Sequence, residues 1–101
     1  MANEFTMSQK TIAEVCFVLS HPARVKIIEL LSSNEGLRLK DITEQLQLST
    51  STTFQHLIIM RRAKIIGETK NQSKKRSKTY YITPLGKDKL IDFYKFVMTI
   101  V

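Results

Sequence analysis

The sequence predicts a mainly α fold carrying one small β-hairpin (α+β), and three observations lead there. Apolar residues recur at helical spacing in five segments. One run, Thr79-Tyr80-Tyr81-Ile82-Thr83, is rich in strand formers and is preceded by a second strand candidate across a polar stretch. Finally, 101 residues leave room for one domain, residues 1–101, and no second. A hydrophobic share of 43% beside 25% charged residues suits a folded chain and argues against disorder.

The first helix is expected over about Asn3–Leu19. Asn3 is its cap, Glu4 suits its positive end, and Ile12, Cys16 and Leu19 form its inward stripe. Val15, Phe17 and Val18 widen the apolar surface beyond one face, so this helix has two things to bury against. Ser20-His21-Pro22 breaks the pattern and restarts it, with Ser20 as cap and proline in the first turn. The second helix runs to about Ser32 with Val25, Ile27, Ile28, Leu30 and Leu31 inward. After the turn Asn34-Glu35-Gly36 comes a short strand candidate, Leu37–Leu39.

Residues 40–62 then read as two short helices with a tight joint, the helix-turn-helix unit. Asp41–Leu46 places Ile42 and Leu46 one turn apart. Ser49 opens the second helix, which reaches about Arg62 with Thr53, Leu57 and Met60 inward. In residues 65–83, strands Ile65–Lys70 and Lys78–Thr83 flank a long basic tip. Thr83 caps a last helix with Pro84 in its first position, and Leu90, Phe93, Tyr94, Val97 and Val101 follow helical spacing.

Charge is concentrated. The stretch Arg61–Lys78 holds eight Lys/Arg against the single acid Glu68, and so carries the whole formal net charge of +7. A neutral body with one basic segment is the footprint of a polyanion binder; a solvated loop is the plainer alternative.

This order of elements, with Leu19-Ser20-His21-Pro22-Ala23-Arg24, Leu48-Ser49-Thr50-Ser51-Thr52, His56-Leu57 and Tyr80-Tyr81-Ile82-Thr83-Pro84-Leu85-Gly86, resembles the arsenic-repressor (ArsR) type of winged helix-turn-helix regulator. It is similar too to the multiple-antibiotic-resistance (MarR) type. The resemblance spans Leu19–Leu90, about 70% of the chain. It implies a dimeric transcription factor, with 1–19 and 84–101 as dimerisation helices, 40–62 as the DNA-reading unit and 65–83 as the wing. The surplus of apolar side chains on the terminal helices fits a homodimer, and Val15, Val18, Phe93, Phe96, Val97 and Ile100 are the expected interface. Where the type often has glycine in the turn before the recognition helix, this chain has Gln47, and a slightly different turn is expected.

The candidate DNA contacts follow. A recognition helix fits the major groove with its early residues at base edges. Ser51, Phe54, Gln55 and Ile58 lie opposite the inward stripe; Gln55 suits an adenine edge, and Ser51 and Thr52 suit bases or phosphates. Ser49 and Thr50 belong to the same hydroxyl run, which reads equally as a helix-start signal. Phe54 either meets a thymine methyl or leans onto the hairpin, and His56 either reaches DNA or is a packed polar group. Arg61 and Arg62 either hold phosphate or complement the helix dipole. Lys74, Lys75, Arg76 and Lys78 of the wing suit the backbone or a narrow minor groove.

No metal, cofactor or catalysis is expected. Leu37–Ile42 lacks the Cys-x-Cys of metal-sensing members, Asp88 and Asp92 have no histidine nearby and read as solvated, balanced by Lys87, Lys89 and Lys95, and His21, His56 and Cys16 are scattered. Cys16 reads as a buried, inert thiol. The three glycines are isolated and build no phosphate loop. No signal peptide or bilayer-spanning run is visible, so a cytoplasmic protein is expected. The partners are double-stranded DNA and a second copy, no membrane, with no small-molecule effector named by the sequence. The expected activity is that of a repressor, since nothing resembles an activation segment. A non-specific architectural protein and a winged helix used for protein contact are the rivals.

Overall fold

The computed structural model describes residues 4–70 and 78–101. Among the described residues, five helices and three strands follow one another as α1 (Met7–Val18), α2 (Pro22–Ser32), β1 (Leu37–Arg38), α3 (Leu39–Leu46), α4 (Thr50–Arg62), β2 (Ile66–Lys70), β3 (Lys78–Ile82) and α5 (Pro84–Ile100). The expected α+β class is borne out.

Helix α1 starts later than its sequence suggested. Thr6 is the cap and forms a reciprocal pair with Gln9: the Thr6 hydroxyl accepts from the Gln9 N–H at 3.0 Å, and Gln9 Oε1 accepts from the Thr6 N–H at 2.9 Å. Asn3 lies outside the described residues. Helix α2 is capped not by Ser20 but by His21, whose Nδ1 accepts from the Ala23 N–H at 3.0 Å, with Pro22 in the first turn. Leu39 belongs to α3 rather than to the strand before it.

The core is built from Val15, Val18, Ile27, Leu31, Ile42, Leu57, Met60, Ile65, Tyr80 and Ile82. Two inward assignments need correction. On α1 the buried stripe is Val15 and Val18, so Cys16, about 100° further round the helix, is exposed rather than buried. On α2 Val25 is exposed, because Ile27 and Leu31 face the core. The three strands form one antiparallel sheet in the order β1-β3-β2. Tyr80 pairs with Leu37 on one side and Glu68 on the other, and burial, then Glu68, holds its phenol above the ordinary range.

Candidate nucleic-acid interface

Helix α3 ends on Gln47, which adopts the left-handed conformation (φ 56°, ψ 37°), and its N–H still closes on Thr43 O at 3.0 Å. The turn expected to deviate without glycine therefore forms with glutamine in the left-handed region. Two residues later Ser49 starts α4. Its hydroxyl accepts from the Thr52 N–H at 3.1 Å and donates to Thr52 Oγ1 at 2.9 Å, while Thr53 Oγ1 donates to Ser49 O at 2.9 Å. Ser49 and Thr52 thus build the helix start, and Thr50 and Ser51 are the exposed hydroxyls beside it.

Thr53, His56, Leu57 and Met60 are the buried side of α4. That leaves Ser51, Phe54, Gln55, Ile58 and Arg62 as an outward stripe at i, i+3, i+4, i+7 and i+11, all exposed except the half-buried Ile58. Phe54 stays 40% exposed instead of being covered by the hairpin. The outward orientation expected for Ser51, Phe54 and Gln55 is what the packing produces.

His56 does not belong with them. Its side chain is 8% exposed, on the core side, and its Nδ1 faces Arg24 Nη1 at 3.1 Å. Its assignment as a DNA contact is corrected: it lies on the same arc as Thr53, Leu57 and Met60. His21 stands next to it, ring centroids 4.4 Å apart, so the two histidines are neighbours rather than scattered. Sequence reading also missed Arg24, 6% exposed with four hydrogen-bond partners. A signal was present, because a cation in the first turn of a helix opposes the dipole and so calls for a compensating partner.

Helix α4 ends in a Schellman turn. Lys64 is left-handed (φ 60°), its N–H bonds to Arg61 O at 2.9 Å, and the Ile65 N–H reaches back to Met60 O at 3.1 Å. This turn sends the chain into β2. There Glu68 faces two of the candidate cations, Arg61 Nη1 at 3.4 Å and Lys78 Nζ at 3.8 Å. Pairs this open hold weakly, about 0–1 kcal/mol, and leave both side chains partly exposed. Arg62 is exposed and makes no ion pair among the described residues. Lys70 and Lys78 face each other across the hairpin as its last described pair, and Lys74, Lys75 and Arg76 lie outside the described residues.

The expected interface between copies also changes. Val15 and Val18 are 0% exposed, enclosed by the chain's own core, and cannot reach a partner. Phe93 and Val97 are half-buried, while Phe96 and Ile100 are exposed. Asp88 and Asp92 are exposed, but Lys89 does not balance them. It bonds Glu14 of α1 and donates to Ala63 O at 2.9 Å. No helix among the described residues is long and apolar enough to cross a membrane.

Residues 21–67 match the bacterial regulatory protein, arsR family. The transcriptional repressor PagR of Bacillus anthracis is 38% identical over 55 residues, a match covering 54% of this chain and 56% of PagR, little more than half of that relative's length. Among solved structures, HlyU from Vibrio cholerae superposes with a TM-score of 0.72 at 18% identity, covering 91% of this chain and 97% of HlyU. The S. aureus MepR–DNA complex gives 0.68 at 19% identity, covering 93% of this chain and 81% of that one. At these identities the likeness to both structures is one of fold. Residues 21–67 are therefore similar to the arsR-family helix-turn-helix, and the chain shares the winged-helix fold of the two solved structures.

Proposed function

We propose that this chain is a homodimeric, sequence-specific double-stranded DNA-binding regulator of transcription, a repressor and not an enzyme, working where DNA is, inside the cell. The observation that carries the reading is the outward stripe of α4, with Ser51, Phe54 and Gln55 near its start and Arg62 at its end. A helix of 13 residues is about 20 Å long and of a width the major groove admits. Its early residues would read bases, and the segment 65–83 would act as the wing, with Lys74, Lys75 and Arg76 on phosphate or in the minor groove. The names of PagR, a transcriptional repressor, and of MepR, solved with DNA, support the same direction.

Binding to duplexes selected from a random pool tests it. Affinity for the best site is expected to exceed that for random DNA by about a thousandfold. If roughly six to ten phosphates are neutralised per dimer, the slope of log affinity against log salt lies near −5 to −9. Alanine at Lys74, Lys75 and Arg76 together should flatten that slope. Equal affinity for all duplexes would favour an architectural protein, and an unchanged slope in the triple variant would favour a wing that contacts protein.

A further inference from the structure

Arg24 stands at the positive end of α2 and is almost wholly buried, an arrangement that persists only when its charge is well compensated by acceptors. Each of its three nitrogens has at least one partner. Nε donates to Val18 O at 2.7 Å, and Nη2 donates to Phe17 O and Ser20 Oγ, each at 3.3 Å. Those carbonyls close the negative end of α1, and the guanidinium lies 5.5 Å from the centre of the Phe17 ring. The remaining bond, from Nη1 to His56 Nδ1 at 3.1 Å, crosses to the recognition helix. One guanidinium therefore joins the end of α1, the start of α2 and the middle of α4.

Arginine only donates, so His56 Nδ1 must be the acceptor and the ring proton sits on Nε2. The charged and titratable groups facing His56 are Arg24, and His21 on its neighbouring side. We propose that Arg24 and His56 are positioning residues for DNA recognition, the guanidinium clamping neutral His56, and with it the recognition helix, to the end of α1. This rests on the DNA-binding reading above. A proton on Nδ1 turns the acceptor into a donor aimed at a guanidinium and adds a second positive charge to a buried site. The clamp then opens.

Burial, then His21, then Arg24, holds the His56 imidazole below its ordinary range. A lowered value means that the native state takes up the proton less readily than the unfolded chain. The clamp's contribution is thus complete above about pH 6.5, the ordinary imidazole value, and is lost as pH falls through the native one. His56→Gln offers an acceptor that cannot titrate. His21→Asn removes the other imidazole and retains a capping side chain.

At constant ionic strength, wild-type affinity for its selected duplex is expected to stay level above about pH 6.5 and to fall by at least about tenfold once the pH has been lowered through the native His56 value. His21→Asn should keep that dependence, and His56→Gln should lose most of it while binding within about threefold of wild type in the level range. Two readouts need no DNA: the pH dependence of the melting temperature, which His56→Gln should flatten, and ring-nitrogen chemical shifts, which should place the His56 proton on Nε2 at neutral pH. A His56→Gln pH profile equal to wild type, or a proton on Nδ1 at neutral pH, overturns the proposal. An intact Nε2–H signature with no binding to any duplex removes the DNA-binding reading instead, and the positioning role with it.

Discussion

Gln55 and Arg62 project from the same outward stripe of α4 and are expected to do different work there. A glutamine amide can meet both partners on an adenine edge, whereas an arginine at the helix end reaches phosphate, which is alike in every sequence. Gln55→Ala should cost about 1–3 kcal/mol on the best site and little on random DNA. Arg62→Ala should weaken both to a similar degree. Paired binding isotherms on selected and random duplexes check this, and a Gln55→Ala protein with its preference intact would place the reading residue elsewhere on the stripe. At this scale the sequence was legible wherever periodicity alone decides. Thr53, Leu57 and Met60 are inward as their spacing predicts, and the same spacing places His56 beside them. Its match to a position of the resembled type argued otherwise, and the guanidinium that satisfies the buried ring comes from a residue 32 positions away.

Among the elements, the start of α5 is fastened to the end of α4. The Thr83 N–H bonds to Ile65 O at 3.1 Å, while its hydroxyl accepts from the Gly86 N–H at 2.8 Å. Lys89, one turn on, holds Ala63 O and Glu14 together. The docking is so close that a Cβ at Gly86 would stand 2.0 Å from Ile65 O, a backbone atom that no rotamer change can move. Gly86→Ala is therefore expected to destabilise the fold by about 1–3 kcal/mol, read from urea unfolding midpoints at unchanged slope. A midpoint equal to wild type would mean that α5 shifts freely at its start. Caps were readable in sequence where the rule is local: Ser49, and Thr83 followed by Pro84, stand as expected. The start of α1 was misplaced because Asn3 and Thr6 both qualify as caps, and the reciprocal Thr6–Gln9 bonds decide between them.

For the molecule as a whole, what remains uncovered matters most. Ile91, Tyr94 and Met98 form an exposed stripe along α5 at i, i+3 and i+7, Phe96 and Ile100 stand on another part of its surface, and Phe5, Met7 and Phe17 are exposed at α1. So many large apolar groups on two packed terminal helices mark an interaction surface. A second copy is the expected occupant, so light scattering at micromolar concentration should report about twice the chain mass of 11.7 kDa. Tyr94→Glu, at a position 63% exposed, should yield a folded monomer with weakened DNA binding, whereas Val15→Glu should unfold the chain. A wild-type monomer that still bound its site tightly would defeat the dimer.

The sequence by itself determined the order of the elements, the caps Ser49 and Thr83, the hairpin and the concentration of charge from Arg61 onward. Each of these depends on residues within a turn or two of one another, through hydrogen bonds and periodicities that the chain carries locally. The tertiary structure decided which apolar residues become core and which are left outside. Val15 and Val18 are covered and Cys16 and Phe17 are not, a choice made by where α1 packs against the other elements rather than by hydrophobicity. It also decided that β1 joins β3, and that Arg24 and His56 meet. Those contacts join residues far apart in the chain, and their stability arises only once burial has removed the competing water.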